Sequence, residues 1–89
     1  MPDNIRFTDH AIEKFGILRQ HGIDVSESFV EDIVRSPAVI HPGYGGRMVA
    51  QGPLDERRVL RVVYEATPTE TVIVTFYPGK RERYDQGPI

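Results

Sequence analysis

The hydrophobic period of this chain changes at Pro37, and that change limits its fold more than any other feature. Before Pro37 apolar residues recur at helical spacing; after it they alternate as strands require. Thr8 is placed as a helix N-cap, with Asp9 suited to the positive end of the helix dipole. Phe7 and Ile12 have the spacing of a hydrophobic staple. Ala11, Ile12, Phe15 and Leu18 follow at helical intervals, and Gly22 is a natural stop. The spacing predicts a helix over about residues 9–20, weakened by about 1 kcal/mol at Gly16 relative to alanine. The grammar repeats at Ser26, a cap flanked by Val25 and Val30, with Phe29, Val30, Ile33 and Val34 as the apolar stripe. A residue before proline resists the helical region, so this second helix should span about residues 27–35.

Beyond Pro37 the pattern predicts four strands, at Val39–His41, Arg47–Gln51, Arg57–Glu65 and Thr71–Tyr77. The connections, around Pro42–Gly46, Gly52–Glu56 and Ala66–Glu70, are short and rich in turn residues, which joins the strands as an antiparallel meander. Pro78 should stop the last strand, because proline cannot donate to a ladder. The expected architecture is α+β: two N-terminal helices packed on one face of a four-stranded antiparallel sheet. With a two- or four-residue final loop, one sheet face carries Val59, Arg61, Val63, Val72, Val74 and Phe76. The other carries Leu60, Val62, Tyr64, Ile73, Thr75 and Tyr77. Both faces are partly apolar, so parity leaves open which one the helices cover, and a bulge would flip part of a strand.

At 89 residues the chain reads as one domain, with an ordered core over about residues 5–84. Asp85–Ile89 reads as disordered. The absence of cysteine excludes disulfides, thiolate metal sites and a cysteine nucleophile, and fits a cytoplasmic location. No apolar run is long enough for a membrane helix, and the polar start from Pro2 to Asn4 does not read as a secretory signal. The net charge of −2 argues against a general nucleic-acid-coating protein. The charge is uneven: residues 1–37 set four cations against seven acids, and residues 38–89 set seven against six.

Lys80, Arg81, Arg83 and Tyr84 follow the last strand closely. Several cations and a phenol delivered to one place suit a phosphate, and an RNA phosphate in particular. The competing reading is a solvated basic tail. Arg61 is a cation within a strand of Val and Leu, so it must snorkel, pair with Glu65 or Glu70, or bind a phosphate. His10 and Lys14 are four residues apart on one helix face. They read either as a proton-moving pair near a phosphate or as ordinary surface residues. Arg57 and Arg58 stand beside Asp55 and Glu56, where exposed ion pairs of little energetic weight are expected. The three glycines within Pro42–Gly46 precede no helix and lack the P-loop pattern. His10, His21 and His41 are scattered, so no metal site and no cofactor are expected.

Several short motifs together resemble a known group of prokaryotic domains. They are Phe7-Thr8-Asp9-His10-Ala11, Gly22-Ile23, Ser36-Pro37, Leu60-Arg61-Val62-Val63-Tyr64, Thr75-Phe76-Tyr77-Pro78 and Arg83-Tyr84. As a set they resemble an uncharacterised bacterial and archaeal family grouped with the RelE/ParE-like toxins, in the barnase–colicin–RelE assembly of small RNase folds. Gln20-His21-Gly22-Ile23, Val63-Tyr64 and Arg81 to Tyr84 are also similar to BrnT-type toxins. The resemblance implies a RelE-like fold, RNA cleavage on or off the ribosome, and a neighbouring antitoxin as partner. It also implies that a strand arginine and C-terminal basic and tyrosine residues serve the scissile phosphate; Arg61, Arg81, Arg83 and Tyr84 are the nearest matches. The chain departs from such toxins in its acidic balance, its few mid-strand lysines and the lack of an obvious helix after the sheet.

The expected activity is metal-free transesterification, in which the RNA 2′-hydroxyl attacks its own phosphate. Arg61 and Arg81 would stabilise the phosphorane, Tyr84 or His10 would carry protons, and Lys14, Lys80 and Arg83 would hold the substrate. The rival expectation is a non-catalytic module binding RNA or protein, with an open sheet edge as one means of association. A homodimer is compatible with either. Convergence of His10, Arg61, Arg81 and Tyr84 separates the two.

Overall fold

The computed structural model describes residues 4–81. Along the chain come β1 (Ile5–Phe7), α1 (Asp9–Gln20), α2 (Glu27–Arg35), β2 (Val39–Pro42), β3 (Met48–Pro53), β4 (Arg58–Ala66) and β5 (Thr71–Lys80). Both helices end where their local chemistry dictates. Thr8 Oγ1 accepts from Ala11 N, and Ser26 Oγ accepts from Phe29 N, each at 3.1 Å. At the end of α1, Ile23 N donates to Leu18 O and Gly22 N to Arg19 O. That Schellman pairing requires a left-handed residue, and Gly22 supplies it at φ 81°. Leu18 and Ile23 are both buried beside it, closing the motif with an apolar contact.

The sheet has five strands in the order β1-β5-β4-β3-β2, and it is mixed. The four strands β2 to β5 form the antiparallel meander, but Ile5–Phe7 adds a parallel edge strand beside Thr71–Ile73. The expected purely antiparallel, four-stranded sheet is therefore corrected. A three-residue strand carries too little alternation to be read, and its partner lies more than sixty residues away. The staple expected between Phe7 and Ile12 is also replaced. As a strand residue Phe7 turns towards Phe15, at 5.7 Å between ring centroids, and Phe15 meets Phe76 at 4.8 Å. Ile12 is left exposed.

All four meander strands outrun their expected ends, β2 and β4 by one residue, β3 by two and β5 by three. β3 continues through Gly52 and Pro53, which pair with Leu60 and Val59. Gly52 is needed there because an added β-carbon would lie 2.9 Å from Ile33 Cγ1. β5 continues through Pro78 to Lys80. Arg81 N donates to Arg57 O at 2.8 Å, so by alternation Gly79 and Tyr77 face β4 and Pro78 faces away. β1 has ended by then, so the N–H that proline lacks would have met no strand among the described residues.

α1 rests on β1 and β5, and α2 on β3 and β4. Ala11, Leu18, Val30, Ile33 and Val34 from the helices pack with Ala50, Leu60, Val62, Tyr64, Ile73 and Phe76 from the sheet. That assignment depends on a β-bulge. The register shifts between Val63 and Tyr64, leaving Val74 as the extra residue of β5. Thr8 Oγ1 donates to the Val74 carbonyl at 3.0 Å, so the cap of α1 also satisfies the bulge. Past the bulge every residue of β5 changes face. Phe76 joins Leu60 and Val62 in the core, and Tyr77 joins Arg61 on the face away from the helices, the reverse of the simple alternation.

Candidate functional site

Three polar side chains stand in one cross-strand row on the face away from the helices. Gln51 of β3 pairs with Arg61 of β4, which pairs with Tyr77 of β5. Arg61 Nη1–H donates to Gln51 Oε1 at 2.6 Å, and Arg61 Nε–H donates to Tyr77 Oη at 3.2 Å. The guanidinium carbon lies 5.9 Å from the centroid of the Tyr77 ring. Gln51 is only 2% exposed, while Arg61 and Tyr77 are half-buried. Contacts from Gln51 and Tyr77 fix the plane of the guanidinium, the planar group that recognises oxyanions in bidentate fashion.

The two acids once in view as partners of Arg61 are engaged elsewhere. Glu65 accepts from Arg47 at 2.8 Å, and Glu70 from Arg6 at 3.3 Å. The Glu70 carboxylate holds the Arg6 guanidinium above its ordinary pKa, chiefly through that hydrogen bond.

Further cations stand at one end of the sheet. Two residues beyond the row, Val59 stands opposite Gly79, which brings no side chain. Two residues further, Arg57 stands opposite Arg81, joined through the backbone hydrogen bond already described. Arg57 lies four residues from Arg61, about 13 Å of strand. Lys80 alternates to the other face but lies at the same end. Glu56, Arg57, Lys80 and Arg81 line a cleft of about 590 Å³ there. Arg58, by contrast, is tied to the turn: its Nη2 approaches Asp55 Oδ2 at 2.7 Å.

The expected site residues thus separate into groups. Arg61 lies on the face away from the helices, and Lys80 and Arg81 line the cleft at the end of the sheet. His10 and Lys14 belong to α1, in the helix layer on the other side of the sheet; His10 is exposed and Lys14 half-buried. The geometry does not bring this pair to Arg61. Arg83 and Tyr84 lie outside the described residues. Gln51 and Tyr77 were missed by sequence reasoning. A signal for Tyr77 existed in the adjacent Phe76-Tyr77 pair, because the hydroxyl-bearing ring belongs on the wetter face. No comparable signal marked Gln51, whose partner depends on hairpin register.

Comparison of the chain with protein-family models, characterised proteins and solved structures returns no match. No helix among the described residues is long and apolar enough to cross a membrane.

Proposed function

We propose that the chain is a toxin-like domain with a RelE-like fold that acts on RNA, gripping the phosphodiester backbone along the face away from the helices. The observation that carries this reading is the Arg61 guanidinium, held by Gln51 and Tyr77 in line with Arg57 and Arg81. Arg61 is half-buried, and a buried amide and a phenol fix its guanidinium plane, which supports a role in recognising an oxyanion. In the reaction the 2′-hydroxyl gives up its proton to water as its oxygen bonds to the adjacent phosphorus, the bond from phosphorus to the 5′-oxygen breaks, and a 2′,3′-cyclic phosphate and a 5′-hydroxyl remain. Arg61 and Arg81 bear the charge that grows on the non-bridging oxygens. Tyr84 carries the proton to the leaving oxygen in this reading, because His10 stands in the helix layer. A neighbouring antitoxin is the partner this class of activity requires.

Purified protein incubated with RNA, with and without ribosomes, tests the proposal. Wild type should cut, and Arg61→Ala should cut about 10²-fold less while melting at nearly the same temperature. Growth of cells expressing the two forms should separate in the same order. One observation favours a second reading, RNA binding without catalysis: His10 and Lys14 are separated by the sheet from Arg61. Salt-dependent RNA binding by a wild type that leaves the RNA intact and the cells growing would select it.

A further inference from the structure

β2 is an edge of the sheet: β3 pairs with one side of it, and no strand lies on the other among the described residues. It lies in the longest run of the chain without Asp, Glu, Lys or Arg, from Ser36 to Gly46, in a protein that is 27% charged. Three large apolar side chains of that run are exposed, Val39 at 37%, Ile40 at 46% and Tyr44 at 96%. Sheet edges are commonly blunted against pairing by shortness or by charge. The opposite edge, β1, has both defences, being three residues long with Arg6 exposed at its centre. β2 has no charge at all. Ile40 pairs with the buried Ala50 and so points to the helix side of the sheet. α2 rests on β3 and β4, so β2 projects beyond it and Ile40 stays in water.

We propose that two copies of the chain join edge to edge through β2, antiparallel about a two-fold axis at Ile40, into one continuous sheet with five strands from each copy. The backbone sets the axis. Gly43 N–H donates to Arg47 O at 2.7 Å, so by alternation His41 and Val39 also face β3, and the N–H and C=O of Ile40 face outward. Pro42, the next outward position, has no N–H, and Ala38 N–H already donates to Gln51 O at 2.8 Å. Ile40 is thus the residue of β2 that offers both groups, and a two-fold axis there satisfies both in each copy. The side chains then match: Ile40 meets Ile40 of the second copy on the helix side, and Val39 meets His41 on the other. An uncharged edge gives a charged partner nothing to pair with, whereas every copy of this chain supplies a matching one. It is also where two molecules of net charge −2 approach with least repulsion. At about 4.8 Å between strands, the two α2 helices stand about 19 Å apart, roughly twice the width of a helix, so the layers do not clash. The pairing is independent of the RNA reading.

Sedimentation of the full chain from about 1 μM to about 1 mM tests the proposal, since a small interface gives a dimer that forms within that range. The mass should rise from monomer to dimer. Ile40→Lys sets like charges opposite each other and should weaken the dimer about tenfold or more, while dilute samples melt as wild type does. Ile12→Lys, equally exposed at 48% but on α1, should leave the dimer intact. The chain has no cysteine, so a single introduced thiol reads the register. Opposed residues of a hydrogen-bonded antiparallel pair have Cα atoms about 5.5 Å apart, within reach of a disulfide. Under a mild oxidant Ile40→Cys should link into covalent dimers, and Ile12→Cys should not. A wild type that stays monomeric at every concentration leaves the edge to the strand of another protein and overturns the inference. A dimer undiminished in Ile40→Lys, or linking of Ile12→Cys as fast as Ile40→Cys, overturns it as well.

Discussion

Asp55 shows how much one exposed side chain can organise. Its Oδ1 accepts from the backbone N–H groups of Arg57 and Arg58, at 2.9 and 2.7 Å, and its Oδ2 accepts from Arg58 Nε at 2.8 Å. The turn that returns β3 into β4 is thereby closed on a carboxylate. The Arg58 hydrogen bond, followed by the Arg57 backbone N–H, holds the Asp55 carboxyl below its ordinary value of 3.8. A group whose pKa is depressed by folding contributes stability that is present above its unfolded pKa and is lost as pH falls through the folded one. Asp55→Asn keeps an oxygen for the backbone donors and loses the charge. Wild type should therefore melt above Asp55→Asn at neutral pH, and the gap should close as the pH is lowered through and below about 4. Thermal melts of both proteins across that range check it; a gap that stays constant would assign the effect to something other than ionisation. At the neighbouring Gly52 the constraint is steric instead: the missing β-carbon is what lets β3 lie against Ile33.

On the scale of elements, α2 is the clearest case of packing read ahead of structure. Ile33 is 6% exposed and touches the sheet at Gly52, whereas Phe29 of the same stripe is only half-buried. Ile33→Ala should cost about 2–5 kcal/mol, and Phe29→Ala distinctly less than the usual cost of a core phenylalanine, because part of its ring already meets water. Denaturant unfolding of the two variants measures the difference, and equal losses would show that the stripe is buried evenly. Both helices were legible to the residue because caps and stops act within one turn of chain. Thr8, Ser26 and Gly22 each announce themselves locally. The meander from β2 to β5 was legible for a similar reason, since short turns join neighbours. What the pattern hid was non-local or a matter of count. The parallel pairing of Ile5–Phe7 has no local signature, and one extra residue at Val74 leaves the composition of β5 unchanged while turning Tyr77 to the other face. For the site this means that Arg61 and Arg81 could be singled out as chemical groups, but Gln51 and Tyr77 became visible only through the register that joins them to Arg61.

Across the whole molecule the charge follows the layers. Cations on the helical half are balanced close by: Arg35 meets Glu31 at 3.2 Å, and Arg19 lies 3.7 Å from Asp24. At the far end of the sheet Arg57, Lys80 and Arg81 line one cleft together with Glu56. A chain with a net charge of −2 can therefore still present a local cationic field to a polyanion, while the acidic helical side repels it and so orients the encounter. This arrangement makes the salt dependence of RNA binding a map of the contact. Each phosphate neutralised on single-stranded RNA releases counterions and adds about 0.7 to the slope of log affinity against log salt. Neutralising Arg57, Lys80 or Arg81 should flatten that slope by about one contact each, whereas Arg19→Ala and Arg35→Ala should leave it where it is. Titrations at several salt concentrations, run on all five variants, decide between a specific surface and a general one. If the helix variants flatten the slope as much as the sheet variants do, RNA is being held by overall charge and not by this end of the sheet. If none of the five changes it, the Lys80–Arg81 end is a solvated terminus to the strand.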